Sequence, residues 1–392
     1  MSTDRSVYIA GAYEHPTREA QNKTQEQLHA EVARGALDDA GLASSDVNGY
    51  LTSGVPEYTY ALVPIVMADY LGLEVNFADG TNFGGSSYPA HVKHAANAIR
   101  DGMCDVCLIT FGGRPRSRDD DESGTGTRPL RILQDSFERI YGMNIVSMYA
   151  MAAKRHMYEY GTTAEQLAEV RVAASHHAQF NEHAVYPDPV SVEDVIDSPV
   201  IADPLHLYDC CSVTDGGGAV VVVSEEIREQ LDRECVEVLG EGEYIKHQNG
   251  GTIDITSTGA RHSGPAAFED AGLTPDDVDY ASIYDSFTIT VLETIEDLGF
   301  CEKGAGGEFV EDGALQAPDG ELPVNTDGGG LASNHPDRGG MLRTIEAVRQ
   351  LRGEATEEVQ VPGAEVALVH GTGGDISTRH ASVTLLLGGE GR

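Results

Sequence analysis

The chain has 392 residues, 40% of them hydrophobic and none of them Trp, enough to bury a large core and divide into two domains. Its 64 acidic residues against 26 basic ones give a formal net charge of −38, which argues against nucleic acid or an anionic membrane as partner. There is no apolar run of roughly 18 residues that would read as a membrane span, and Met1-Ser-Thr-Asp-Arg5 runs straight into the strand-like Val7-Tyr-Ile-Ala10 without room for a signal peptide, so a cytoplasmic protein is expected.

The acids are scattered over helices and loops, with Asp119 to Glu122 the only real run, and only five of the basic residues are Lys. Scattered acid with little Lys points to a surface adapted to high salt, where self-repulsion is screened. After the first strand, a helix from Leu28 to Asp39 ends at Gly41, and an acidic turn feeds the strand Gly49 to Ser53. Gly84-Gly85-Ser86-Ser87 then opens a helix from Pro89 to Arg100, followed by the apolar strand Val106 to Thr110, which ends in Gly112-Gly113.

A polar, Gly/Ser-rich stretch with Arg114, Arg116 and Arg118 follows and reads as a mobile surface loop. Helices are expected over Met143 to Tyr160, with a stripe of Met148, Met151 and Met157, and over Thr163 to His177. The Met stripe suits core packing, or a surface that receives a flexible acyl chain. The strand Gly218 to Val223 closes this half, and Val236 to Gly240 opens the next.

The second half repeats the first. Ala40-Gly41-Leu42 with Asp46-Val47 recurs as Ala271-Gly272-Leu273 with Asp277-Val278, each pair 231 residues apart, and a strand follows at Asp279 to Tyr284. Gly339-Gly340, a helix from Met341 to Leu351 and the strand Glu365 to Val369, ending in Gly371, Gly373 and Gly374, then match the second unit of the first half. Short apolar strands alternating with helices indicate βαβ units and an α/β fold. Two halves are expected, 1–232 and 233–392, with an inserted region near 113–195 in the first. Stacked face to face, they would bring equivalent turns to a shared centre.

The cysteines do not form a metal motif. Cys104-Asp-Val-Cys107 lacks a second CxxC, and in an extended segment its thiols would point to opposite faces of the core. Cys210 and Cys211 read as core thiols too, and His176, His177 and His183 at a helix end as packed or solvated rather than metal-bound. Two histidines stand out instead: His335 in Gly328-Gly-Gly-Leu-Ala-Ser-Asn-His335-Pro336, and His370 in Val369-His370-Gly371-Thr372-Gly373-Gly374. An imidazole in a Gly-rich turn sits where backbone N–H groups can converge on a substrate oxygen, as acid/base and oxyanion chemistry require.

Across nearly its whole length the sequence resembles the thiolase superfamily, and more narrowly its sterol-carrier-protein-type and archaeal branch. The resemblance rests on Asp101-Gly-Met-Cys-Asp-Val-Cys-Leu-Ile, Asp209-Cys-Cys-Ser-Val-Thr-Asp215-Gly-Gly-Gly-Ala219, Ile283-Tyr284-Asp285-Ser286-Phe287, and the stretch Pro323 to Pro336 with Gln350-Leu-Arg-Gly353. It implies a five-layer αβαβα arrangement and chemistry on β-ketoacyl-CoA thioesters. It also implies that His335 carries the family's His role, while the second Cys position falls on His370, the water-positioning Asn on Tyr284 and the nucleophilic Cys on Gly84.

Two repairs of the missing thiol are open. The leading reading is an acyl-CoA C-acetyltransferase (β-ketothiolase) that condenses or thiolytically cleaves β-ketoacyl-CoA, with Ser86, or Ser87, as acyl carrier and His335 or His370 as base in a Ser-His-His site. Otherwise no covalent intermediate forms, and Tyr284 and His335, with Asp285 nearby, handle protons in retro-aldol cleavage of a β-hydroxyacyl-CoA. A non-catalytic acyl-CoA- or lipid-binding subunit is a third possibility, which retention of both histidines opposes. The resemblance places oxyanion and turn roles on Gly84, Gly85, Thr372 and Gly373, and CoA contacts on Arg114, Arg116, Ser263 and Gly264. It implies no metal and no bound cofactor beyond the CoA thioester substrate, a homodimer or dimer of dimers, and a small zinc-ribbon/OB-fold partner.

Overall fold

The computed structural model describes residues 5–53, 62–117, 139–246, 254–376 and 379–390. Arg118 and the run Asp119 to Glu122 lie outside the described residues. The first half contains β1 (Val7–Glu14), α1 (Gln25–Ala40), β2 (Gly49–Leu51), α2 (Val63–Leu71), β3 (Phe77–Asp79), α3 (Ser87–Arg100) and β4 (Val106–Gly113). The insertion supplies α4 (Ile145–Tyr160), α5 (Ala164–Ala178), α6 (Val192–Ile196), β5 (Val200–Ala202) and β6 (Leu205–His206). The chain returns through β7 (Gly216–Ser224) and α7 (Glu225–Arg228). The second half follows as β8 (Val236–Lys246), α8 (Ala260–Ala271), β9 (Tyr280–Ile283), α9 (Thr288–Leu298), α10 (Gly306–Phe309), α11 (Gly340–Leu351), β10 (Val366–Gly374) and β11 (His380–Gly388).

The duplication read from the sequence holds in the strand pairing. The sheet runs β3-β2-β4-β7-β1-β8-β11-β10-β9. In the first half β2 pairs parallel with β4, and β4 and β1 flank β7 antiparallel; β9, β10, β11 and β8 repeat this pattern. The helices before β2 and β9 both stop at a left-handed glycine, Gly41 at φ 70° and Gly272 at φ 68°, a conformation only glycine adopts without strain. The halves join edge to edge at β1 and β8 through Tyr8↔Glu237 and Ile9↔Val236.

Side-chain alternation along the strands builds the layers. Ile109, Val220, Val222, Val369 and Val383 face a central layer with Ala95, Ile99, Ile345 and Val348 of α3 and α11. Leu108, Val221 and Val223 face Val32 and Ala36 of α1 on one outer side. Leu368 and Leu386 face Ala267 of α8 and Ile295 of α9 on the other. This gives the αβαβα order.

Two local expectations fail. Cys104 precedes β4, so its thiol is not bound by strand alternation; a Cβ on Gly49 would meet the sulfurs of Cys104 and Cys107 at 2.9 and 3.0 Å, and the two thiols are hydrogen-bonded to each other. The glycines after His370 do not form a turn. They lie inside β10, where His370 pairs with Thr384 of β11.

Candidate active site

Tyr284 leaves the end of β9, and its position is fixed by the residue before it. Asn325, at φ 55°, accepts the N–H of Ile283 at 2.8 Å and donates to its carbonyl at 2.8 Å. Tyr284's own N–H donates to the carbonyl of His370 at 2.9 Å. The ring then lies over the Gly84–Ser86 turn, where a Cβ on Gly85 would come within 2.4 Å of it and 2.3 Å of the Thr372 carbonyl. Only glycine permits this approach.

His335 is delivered by the segment after α10. Asp285 accepts the N–H groups of Gly330 and Leu331 at 2.9 and 3.1 Å, holding a π turn over Gly329–Ser333. Burial pushes the Asp285 carboxyl up to about 6, against the pull of Arg343 and these two N–H groups. Asp327 accepts from Gly329 at 3.0 Å and pairs with buried Arg343 at 2.9 and 2.7 Å. Removing one partner of such a pair costs about 3–5 kcal/mol, because it leaves a buried charge uncompensated.

The first half holds the other side of the same segment. Thr214 accepts the N–H of His335 at 2.8 Å and donates to Asn334 at 2.7 Å, and Asn334 donates to Glu14 of β1 at 2.9 Å. The outcome is a phenol–imidazole pair, with the Tyr284 hydroxyl 2.8 Å from Nε2 of His335 and 3.3 Å from the Asp337 carbonyl. Burial raises the Tyr284 phenol well above its ordinary range and lowers His335 to about 4, so both are neutral near pH 7. Each can give or take a proton without first shedding a charge.

The other expected residues are placed differently. Ser86 and Ser87 are buried beside the turn, but their hydroxyls donate to the carbonyls of Phe83 and Gly84 at 2.9 and 2.8 Å. Among the described residues neither is hydrogen-bonded to an imidazole. Gly84, at φ 63°, is closed off by Gly373 and Gly374, and a Cβ on Gly373 would lie 2.8 Å from Ser86 Oγ.

His370 does not share the pocket of His335. Gly371, its neighbour on β10, faces Ser86 and Pro89, so His370 points through the opposite face of the sheet. There its Nδ1 lies 3.0 Å from Thr384 Oγ1, which is 2.9 Å from Ser263 Oγ of α8. Burial alone lowers His370 to about 3. Thr372 lies on the same outward side; only its carbonyl reaches the Gly85 turn. Ser263 and Gly264 are likewise buried, Gly264 against Leu298, which leaves no surface there for a CoA contact. Arg114 donates to the Ala20 carbonyl at 3.1 Å, while Arg116 is exposed and 3.7 Å from Glu19.

Thr214, Asn325 and Asn334 went unrecognised in the sequence, although all three lie within quoted motifs. A polar residue that bonds backbone leaves no periodic signal. His177 is a packing residue, bonded to the Asn325 carbonyl and the Ala317 N–H. Among the described residues no group of three or more His, Cys, Asp or Glu could hold a metal ion, and no helix is long and apolar enough to cross a membrane.

Residues 242–386 match the model of the thiolase C-terminal domain-like family. An acetyl-CoA acetyltransferase of Methanothermobacter thermautotrophicus is 34% identical over 94% of this chain and 97% of its own. A steroid side-chain-cleaving aldolase of Thermomonospora curvata is 33% identical over 90% of this chain and 91% of its own. The solved structure described as the Ltp2-ChsH2(DUF35) aldolase superposes with a TM-score of 0.86 at 31% identity, covering 99% of this chain and 98% of that one. With its duplicated halves, its His-Pro turn and these relatives, the chain belongs to the thiolase superfamily.

Proposed function

We propose that the protein breaks or forms the Cα–Cβ bond of a CoA thioester without a covalent enzyme intermediate, as an aldol lyase acting on a β-hydroxyacyl-CoA. The observation that carries this reading is the Tyr284–His335 hydrogen bond of 2.8 Å, beside serines whose hydroxyls are spent on backbone carbonyls. In cleavage, with His335 in the tautomer that leaves Nε2 bare, the phenol turns its proton from the Asp337 carbonyl onto His335 Nε2 as its oxygen takes the proton of the substrate's β-hydroxyl. The Cα–Cβ bond breaks, its electron pair moves onto the thioester as an enolate, and the β-carbon departs as a ketone or aldehyde. Return of the proton to Cα releases the shortened acyl-CoA. Positioned proton transfer of this kind contributes about 10²–10⁴-fold in rate.

A second reading, acyl-CoA C-acetyltransferase with Ser86 as acyl carrier, is favoured by the 34% identity to the archaeal acetyl-CoA acetyltransferase. Product analysis separates the two. Purified protein is given a β-hydroxyacyl-CoA, and separately acetoacetyl-CoA with free CoA. A carbonyl product plus acyl-CoA from the first supports the lyase. Two acetyl-CoA from the second, lost in Ser86→Ala, supports the acyltransferase and overturns the lyase.

The CoA thioester enters as substrate, with no further cofactor, and Arg114 and Arg116 are the cations assigned to its phosphates. A homodimer is supported by the edge strand β3 and by exposed Leu62, Ile65 and Tyr70 around the neighbouring α2. The two-component title of the solved aldolase supports a small partner subunit. Salt adaptation is supported by the charge of −38; a cytoplasmic location and a place in lipid metabolism complete the proposal.

A further inference from the structure

One buried phenol has no part in the chemistry described above. Tyr149 lies on α4, a helix of the insertion rather than of either duplicated half. It is 2% exposed, and its ring stacks on Phe287 at a centroid distance of 4.5 Å and 30° between planes. Its hydroxyl lies 3.4 Å from the carbonyl of Gly374 and is hydrogen-bonded to the side chain of Ser286. Ser286 Oγ in turn is 3.1 Å from Thr290 Oγ1 on α9.

Donor counting gives this chain a direction. A phenol has one hydrogen, and the Gly374 carbonyl can only accept, so Tyr149 donates to Gly374 and accepts from Ser286. Ser286 then accepts from Thr290. The two anchors of Tyr149 are the two walls of the site. Gly374 ends the β10 segment whose Gly371 and Gly373 pack on the Ser86 turn, and Ser286 and Phe287 follow Tyr284 and Asp285 directly.

We propose that Tyr149 is a positioning residue: its ring and hydroxyl clamp the Tyr284–Phe287 segment to the end of β10, holding the Tyr284 hydroxyl in register with His335. The inference rests on the reading that the Tyr284–His335 pair moves the proton. It makes the insertion a working part of the site, because no residue of the duplicated halves spans Gly374 and Ser286 in this way among the described residues.

The test is Tyr149→Phe, which keeps the ring on Phe287 and removes the hydroxyl's part of the clamp. The expected result is a kcat lower by about 10- to 10²-fold with KM little changed, as for a small misplacement of reacting groups. In a Tyr284→Phe background the same change is expected to cost nothing further, which a merely destabilising substitution would not reproduce. Ser286→Ala, which removes the donor to the phenol, is expected to move kcat in the same direction. An unchanged kcat in Tyr149→Phe, or an equal loss in both backgrounds, overturns the proposal.

The ¹⁵N signal of His335 Nε2, read in the full chain without substrate, separates this inference from the functional reading. A signal shifted in Tyr149→Phe, where the wild-type protein turns over no acyl-CoA, upholds the clamp and sinks the lyase. An unshifted signal sinks the clamp whatever the turnover.

Discussion

Gly85 and Tyr284 touch so closely that a single methyl group cannot be placed between them: a Cβ on Gly85 would lie 2.4 Å from Cε2 and Cζ of the ring. The turn that presents the helix N-terminus and the residue that bonds His335 are therefore one packed unit. Gly85→Ala is expected to push the ring off its partner, with a rate loss on the order of 10²-fold and a stability loss of about 1–3 kcal/mol. Steady-state kinetics and urea denaturation on one preparation check both; wild-type kcat in the variant would show that the ring position is not needed.

Tyr284→Phe removes one oxygen and leaves the packing intact. It should lower kcat by about 10²–10⁴-fold, as should His335→Gln, because each deletes half of one relay. The double variant should be scarcely worse than either single one, since the two groups act as a unit. Losses that multiply in the double variant would mean that they work independently.

The pH profile follows from burial. A neutral His335 is the proton acceptor, and its value is lowered to about 4, so the active form predominates above that pH and the rate falls as pH drops through about 4. The Tyr284 phenol is raised well above its ordinary 10.0, which places no alkaline limb from it in the neutral range. The log of kcat/KM against pH is expected to be flat from about 5 to 9. An acid limb near 6.5, the value of a solvated imidazole, would assign the base to another histidine.

The formal charge of −38 predicts dependence on salt. The Debye length grows from about 3 Å at 1 M to about 30 Å at 0.01 M, so self-repulsion across the whole surface is released on dialysis. Far-UV circular dichroism should show loss of structure at millimolar salt and recovery at molar salt. Identical spectra at both ends would remove the case for salt adaptation.

What could be read in the sequence, and what could not, follows from how each feature is encoded. Ala40-Gly41-Leu42 and Ala271-Gly272-Leu273 announce the duplication because a left-handed cap demands glycine in both copies. The helices α3 and α11 were found within two residues at their starts by their flanking glycines and apolar faces. His335 was named from the family's His-Pro turn and Tyr284 from the family Asn position that it replaces, as proton handlers in the lyase alternative; the structure sets the two 2.8 Å apart.

His370 was misread for a physical reason. Gly371, Thr372, Gly373 and Gly374 look like a turn, yet glycine is also what lets β10 lie flat against Ser86 and Phe83, and a strand sends adjacent side chains to opposite faces. The partner of the Ser86 hydroxyl, the Phe83 carbonyl, is set by a turn geometry that no residue pattern spells out. β11, a buried strand of nine residues, lay in the last stretch of the chain and was not assigned, although it closes the second half between β8 and β10.

The bonds from Thr214 and Glu14 to the His335 segment have one more consequence. The imidazole belongs to the second copy of the duplicated unit, but its alignment needs residues of both. A gene carrying either copy alone would encode half a scaffold and no chemistry. The same chain severed between β7 and β8 should recover turnover only once both fragments reassociate, so the bond that inheritance placed between the two copies is replaceable and the contact at Asn334 is not.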